Sequence, residues 1–528
     1  MELRGFLNLR VETLRVGTFV ADRALAGLAL VTAGLLLVRL WLDAHLELMF
    51  DEAYYALWAK HLAWSYFDHP PMVALWIRLS TILFGEHEFG VRALGTLAAT
   101  AGTGLIYLIS WHLFGDRKAA IFAALLYCAM LLVSAGAIII TPDTPLLFFW
   151  SIALYALVRI YEDGDSGWWW VVGIAMGLAL QSKYTALLLG AGIVCAMAVV
   201  PSLRPWWRRP TPYLSGALSL AIFAPVVVWN YQHEWASFAL QFGRAEVSGF
   251  SLGFIFEFLG SQIGLLTPFV CVLAVAGLFI AFRHSEDENN DAIIFLVSLI
   301  SPLLIYFLLH SLHARVHGNW TAPAYPVLAV LGAEAAARSH SFGPRVQRVL
   351  ALSRKMAVPV GLALTAIVYL HAAGAPMPLD PAKDPTALME GWAHLTAQVN
   401  AIAEDMDANY ILTSHYRLAS ELSTYSRAPI PIVQFNESIR WLSFPKARIT
   451  PDARGIYVVE DNRDLVGFPS NFFAQSRKIA EIDRSRGEEP IQKYFVYLVA
   501  DANHATLEEL SMTAGSPKQA SSVTSHDR

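Results

Sequence analysis

Phe50–Pro71 reads FDEAYYALWAKHLAWSYFDHPP, a short polar island of acids, aromatics, two histidines and a Pro-Pro pair in an otherwise apolar stretch of chain. Ionisable groups beside a bilayer are costly to keep there and tend to persist where they work. The island reads as the first extracytoplasmic loop of a membrane protein and as the place where its chemistry would sit.

Working outward, the 528 residues are 55% hydrophobic and only 15% charged. Soluble domains carry about 25% charged residues, so this is a membrane composition. The net charge of −5 is small and argues against a nucleic-acid partner. Cys128, Cys195 and Cys271 lie inside apolar runs and read as small hydrophobes. Residues 1–23 are too polar for a cleavable signal peptide, so the first span is expected to be an uncleaved anchor.

A span needs roughly 20 apolar residues. The candidate spans are 24–42, 92–113, 119–140, 144–160, 168–182, 184–201, 212–230, 262–282, 292–311, 322–336 and 357–374, which gives about eleven transmembrane helices. Arg4, Arg10, Arg15 and Arg23 put the N-terminus in the cytoplasm. Arg117, Lys118, Arg159, Arg204, Arg208, Arg209, Arg283 and the basic run 338–355 fall on the same side, while the opposite loops hold only Lys60, Arg78, Lys183, Arg244 and Arg315. The expected organisation is therefore a cytoplasmic N-terminus 1–23 and a transmembrane domain 24–374 with its first outer loop at 43–91. An extracytoplasmic domain 375–510 and a disordered tail 511–528 follow. Within 375–510, a Pro-rich linker at 375–385 precedes a helix over 384–407 and a helical piece near 415–425. Short β-like runs at 410–413, 431–435, 455–460 and 493–500 make this a small α/β domain.

Several residues are candidates for chemistry, each with an ordinary alternative. Asp51 and Glu52 follow the first span. Asp51 and Tyr55 are one turn apart on a face shared with Trp58, although acids at a helix start also simply complement its dipole. Pro70-Pro71 fixes Asp68 and His69 in an extended turn, where His69 meets a phosphate or is an ordinary turn histidine. Asp143 in TPDTP either caps the next helix or serves a site. Lys183 between apolar runs snorkels or faces a lipid phosphate. In HSLHARVHGNW, His310, His313 and His317 have a spacing that admits metal ligation, and Arg315 is a bidentate donor suited to phosphate or carboxylate.

Taken together, DEAYYALW, YFDHPPMVALWIRL, FGVRALG, TPDTPLLFFW, LALQSKYTALLL and RVHGNWTAPAYP resemble the GT-C glycosyltransferases of the PMT/ArnT superfamily. More narrowly, they are similar to the family-39-like branch that includes the rhizobial lipopolysaccharide galacturonosyltransferases. The resemblance implies a polytopic α-helical GT-C protein of the bacterial inner membrane with a periplasmic C-terminal α/β domain. It implies transfer of a sugar from a polyprenyl-phosphate donor to an envelope glycolipid, lipid A or lipopolysaccharide core, on the outer leaflet. By the same resemblance Asp51, with Glu52 beside it, is the acid that activates the acceptor, and Asp143 is the second acid of the site. Phosphate binding falls to Lys183 and Arg315, with His69 standing where the aminoarabinose branch has a lysine. Tyr55, Asp68 and Trp320 line the substrate, and no cofactor is called for, a divalent metal staying open. Two alternatives remain: a protein O-mannosyltransferase-like acceptor choice, and a lipid-linked sugar transporter, which would require mid-span polar pairs or inverted repeats.

Overall fold

Apolar runs become helices in a membrane because their backbone N–H and C=O groups find no other partner in lipid. The computed structural model describes residues 2–243, 249–282, 289–375, 377, 379–434, 437–445, 449–450, 452–464 and 468–503, with backbone only for 2–22. The expected tail 511–528 and the orientation residues Arg244 and Arg283 lie outside the described residues.

Among these residues six helices are long and apolar enough to cross a membrane: Arg23–His45, Glu88–Phe114, Asp143–Asp163, Thr211–Gln232, Asn290–His310 and Pro344–Ala372. The number rises to eight if each of two pairs bent by 107°, Tyr184–Val199 with Pro201–Arg208 and Leu252–Leu266 with Pro268–Ile280, is one span. Both bends fall immediately before a proline, where helical backbone is disfavoured. The remaining apolar runs are helical but shorter. The 119–140 run breaks at Met130 into Arg117–Ala129 and Leu131–Gly136, 168–182 gives Trp168–Leu180, and 322–336 gives a 3₁₀ turn followed by Tyr325–Ala337.

The chain divides into two units. The first is Met1–Trp41, Gly95–Ala224 and Ala245–Val368. Its helices approach through small residues, as expected where lipid gives apolar faces no reason to prefer one another. A Cβ on Gly192 would lie 2.1 Å from the Leu299 carbonyl oxygen, and one on Gly277 2.3 Å from that of Leu331. Gly277→Val should therefore destabilise by about 1–3 kcal/mol. Thermal unfolding in detergent checks this, and an unchanged midpoint would contradict the packing.

The second unit is Leu42–Leu94, Pro225–Arg244 and Tyr369–Arg528. It holds the helices Phe50–Lys60 and Met72–Phe84 and a five-stranded sheet of order β2-β1-β3-β5-β4. The strands are β1 Tyr410–Thr413, β2 Ile432–Gln434, β3 Gly455–Glu460, β4 Phe473–Arg486 and β5 Glu489–Ala502. β2, β1 and β3 run parallel, and β5 and β4 are antiparallel additions. Ile411, Ile456, Val458, Tyr494 and Val496 pack one face against Trp392, Leu395 and Val399 of helix Trp392–Asp405 and Leu418 and Leu422 of helix Tyr416–Tyr425. Gly455 lets the Tyr410 ring lie against the backbone, where a Cβ would be 2.3 Å from it.

The expected helix over 384–407 is two pieces, a 3₁₀ turn Pro385–Met389 and Trp392–Asp405. They are separated by Gly391 at φ +80°, where the Ser485 backbone leaves no room for a Cβ. β4 was not anticipated. It is an edge strand rich in Arg, Lys, Asp and Glu, charges that keep an edge from pairing with other chains and also hide the apolar alternation.

Two polar anchors fix this unit. Glu47 accepts from the Trp392 and Ala393 N–H groups at 2.6 and 3.2 Å, capping a helix far away in sequence. Asp384 accepts from the backbone and hydroxyl of Thr386 and from Arg486, and bonds His371 at 2.6 Å. Burial pushes the Asp384 carboxyl up, but the Thr386, Arg486 and His371 partners outweigh it and hold it at about 2. The group thus contributes stability at neutral pH that is lost as pH falls from the ordinary carboxylate range through about 2.

Candidate active site

In the second unit, the Phe50–Lys60 helix starts with its acids because a carboxylate there meets unpaired N–H groups. At 100° per residue, Asp51, Tyr54, Tyr55 and Trp58 share one face. Trp58 stacks on Tyr66 at 4.0 Å and meets Tyr54 and Tyr55 edge-on at 4.8 and 5.0 Å, a rigid aromatic floor. His69 lies beyond, 6.4 Å from Tyr55.

Opposite this floor, Asp68 accepts from Arg440 on both carboxylate oxygens at 2.5 Å and from the Tyr54 hydroxyl at 3.1 Å. Gln241 donates to the Asp68 carbonyl at 2.6 Å, so the Pro-Pro turn is held from two sides. Arg440 is positioned in turn by Glu437 and lies over the Tyr416 ring at 4.2 Å. Arg417 lies 4.4 Å over Phe50. Burial, with Arg463, Arg417 and Arg440 nearby, pushes the His415 imidazole down to about 3. It stays neutral, and its Nδ1 accepts the Arg417 N–H at 3.3 Å, capping helix Tyr416–Tyr425.

Asp51 differs from Asp68. It is half-buried, and its hydrogen-bond partner is the Tyr416 hydroxyl at 3.4 Å. Burial raises its pKa to about 6, with Asp68 adding to the rise and Arg417, Tyr416 and Arg440 working against it. The two carboxylates thus differ: Asp68 is fixed in place by Arg440 and Tyr54, and Asp51 is held weakly and able to exchange a proton near neutrality.

Glu52 is corrected from the expectation that paired it with Asp51. It points the other way, fully buried, taking Arg92 Nε at 2.8 Å and Nη2 at 2.5 Å while Met49 N–H donates at 3.1 Å. Both of its oxygens are committed, so it fastens the loop and is not available to a substrate.

In the first unit, Asp143 starts its helix after Thr141-Pro142, as the sequence allows, but it also takes Lys183 Nζ at 2.7 Å and Asn319 Nδ2 at 2.8 Å. Both ion-pair side chains are only 13% exposed. Trp320 follows Asn319 and packs among Phe307, His310 and His317. Those histidines gather round an indole: among the described residues no group of three or more His, Cys, Asp or Glu is placed to hold a metal. Arg315 is also corrected. Its side chain is 64% exposed and pairs with Glu257 at 2.9 Å, not with an enclosed phosphate-sized site.

Arg440, Tyr416, Arg417, Gln241, Arg92 and Asn319 were not singled out in the sequence. Most come from remote segments with no motif of their own. Arg92, inside FGVRALG, and Asn319, inside RVHGNWTAPAYP, are the two whose place in a motif could have drawn notice.

Residues 68–229 match the family model described as dolichyl-phosphate-mannose-protein mannosyltransferase. The chain is 28% identical over 278 residues to the lipid A galacturonosyltransferase RgtD of Rhizobium johnstonii, covering 52% of this chain and 58% of that one. It is 27% identical over 172 residues to the undecaprenyl phosphate-alpha-4-amino-4-deoxy-L-arabinose arabinosyl transferase of Pseudomonas aeruginosa, covering 32% of this chain and 30% of that one. The chain therefore matches only part of the length of these relatives. In architecture it is similar to ArnT from Cupriavidus metallidurans bound to undecaprenyl phosphate, with a TM-score of 0.62 at 17% identity over 93% of this chain and 99% of that one. The apo form gives 0.61. From the apolar helices, the small α/β domain and the likeness in architecture, the chain has the GT-C fold, and in sequence it is similar to members of the PMT/ArnT superfamily.

Proposed function

We propose that this protein transfers a sugar from a polyprenyl-phosphate donor to lipid A or lipopolysaccharide core at the outer leaflet of a bacterial inner membrane. Its N-terminus is cytoplasmic and its α/β domain periplasmic. The observation that carries the proposal is Asp51: a half-buried carboxylate on an aromatic face, with its pKa raised to about 6. The names of the rhizobial and pseudomonad relatives and of the undecaprenyl-phosphate-bound neighbour support the donor and acceptor classes.

The chemistry is a direct displacement with inversion. The acceptor hydroxyl oxygen bonds to the anomeric carbon as Asp51 takes its proton. The bond from that carbon to the phosphate oxygen breaks, and the electron pair leaves on the polyprenyl phosphate. A base with a pKa near the working pH is efficient because it is ionised and still binds a proton well. Tyr55, expected to line the substrate, and Trp58 are themselves buried and act by holding rigid the helix face that carries Asp51, while Asp68 keeps Tyr54 and Arg440 in place. To Lys183, held by Asp143 within its own unit, we assign the donor phosphate, since a fixed cation stabilises the charge of a departing phosphate. His69 and Trp320 are kept as substrate contacts.

Two results follow. Because the base form of Asp51 is the active one, kcat/KM rises about tenfold per pH unit below its pKa and levels above about 6. Initial rates of the enzyme in liposomes across pH 4–8 check this, and a flat profile contradicts it. Lys183→Ala should lower transfer by about 10²–10³-fold, the size of losing one transition-state charge contact. Lys183→Arg recovering part of the rate separates charge from packing, and full activity of Lys183→Ala removes the phosphate assignment. Testing peptides beside lipid A as acceptors distinguishes the protein-acceptor reading that the family description raises.

A further inference from the structure

A cleft of about 510 Å³ lies in the same unit as Asp51 but on the other side of the Phe50–Lys60 helix. Its wall there is Ala56, Leu57 and Lys60, which by helical phase sit on the face away from Asp51 and Tyr55. Ala393 and Ala397 keep the facing helix Trp392–Asp405 low, so the space stays open. The volume is that of an ordinary small-molecule site.

Its polar lining is mixed and placed at the rim. Lys60, Arg78 and Arg427 bring three cations against Glu86 and Glu88. Arg427 is exposed and has no hydrogen-bond or ion-pair partner among the described residues. Lys60 and Arg78 both reach Glu86, but at 3.7 and 3.6 Å with side chains 48% and 42% exposed, so neither is firmly committed. Deeper in, the Thr424 hydroxyl is buried without a hydrogen-bond partner, and Ser426 bonds Asn400 at 3.1 Å.

The cleft borders an apolar stripe. Leu75, Leu79, Ile82 and Leu83 recur along helix Met72–Phe84 and are all exposed, while Ile77, Arg78 and Thr81 on the adjoining face of that helix enter the cleft. Exposed Leu62 and Trp64 precede it. A helix apolar on one side and cationic beside it is built to lie in the headgroup layer, with its basic residues drawn to anionic lipid. An apolar stripe for acyl chains beside a cationic, hydroxyl-lined cleft matches one chemistry.

We propose that this cleft binds the phosphate-bearing headgroup of an anionic membrane lipid, held by Lys60, Arg78 and Arg427, at a site separate from Asp51. The inference concerns binding alone and does not rest on the transfer reaction.

The test uses the full chain in phosphatidylcholine nanodiscs, titrated with phosphatidylglycerol. Native mass spectrometry counts the phosphatidylglycerol retained, and inorganic phosphate is run in parallel. Wild type retains phosphatidylglycerol, and the Lys60→Ala/Arg427→Ala double variant retains it at least about fivefold more weakly, each lost cation removing part of the attraction. Glu86→Gln moves the other way, because it deletes a competing anion without touching the packing of the helix. Protection from thermal unfolding by inorganic phosphate, lost in the double variant, would assign the same cations to a free phosphate and overturn the lipid source. Equal retention by wild type, double variant and Glu86→Gln would overturn the site.

Discussion

Asp51→Asn should lower sugar transfer by about 10²–10⁴-fold, the range by which a positioned general base contributes. The same variant should be more stable than the parent at neutral pH. In the folded chain burial raises the Asp51 pKa from 3.8 to about 6. The folded state therefore binds this proton more tightly than the unfolded one, and stability from the group is full below pH 3.8 and lost as pH rises through about 6. At pH 7 the ionised carboxylate is a liability of at most roughly 3 kcal/mol, which a neutral amide of the same shape removes. Expression, thermal unfolding and transfer measured on one preparation check both halves. An inactive variant that is also less stable would mean that Asp51 holds the fold, and an active one would remove it from the chemistry.

Arg92→Leu should be the most damaging single change to the loop, costing about 3–5 kcal/mol, the range for breaking one partner of a buried ion pair. Arg92 is 1% and Glu52 0% exposed. Beyond Glu52, the guanidinium donates to the Leu46 and Glu47 carbonyls at 2.8 Å each. Glu47 is itself the cap of the Trp392–Asp405 helix, so the loss extends into the α/β domain. Replacing Glu52 and Arg92 together with leucine should recover only part of the loss, because the two carbonyls stay unsatisfied. Thermal unfolding of the single and double variants decides this. An Arg92→Leu midpoint equal to the parent would contradict the anchoring part given to the pair.

The Phe50–Pro71 loop made the membrane architecture readable, because a polar island between long apolar runs is what a chain shows where it leaves the bilayer. Strands β1 and β3 were legible from their Val, Ile and Tyr content, and helix Tyr416–Tyr425 from its pattern. Span counting overestimated the long helices where Met130 and Pro323 interrupt apolar runs, since hydropathy records composition and not backbone breaks. Asp51 and Tyr55 were legible by helical spacing. The Asp143–Lys183 pair was not, because 40 residues separate partners that meet only after the helices pack. Arg440 meets Asp68 across 372 residues, beyond the reach of any local pattern. Adjacent in sequence, Asp51 and Glu52 looked alike; the 100° turn between neighbours on a helix sends one to the aromatic face and the other to Arg92.

The most direct test is mass spectrometry of lipid A and lipopolysaccharide core from a deletion strain and from the strain complemented with wild type or Asp51→Asn. The account predicts that deletion removes one sugar, that wild type restores it, and that Asp51→Asn, though expressed, does not. An unchanged glycolipid profile in the deletion strain, or full restoration by Asp51→Asn, would contradict it.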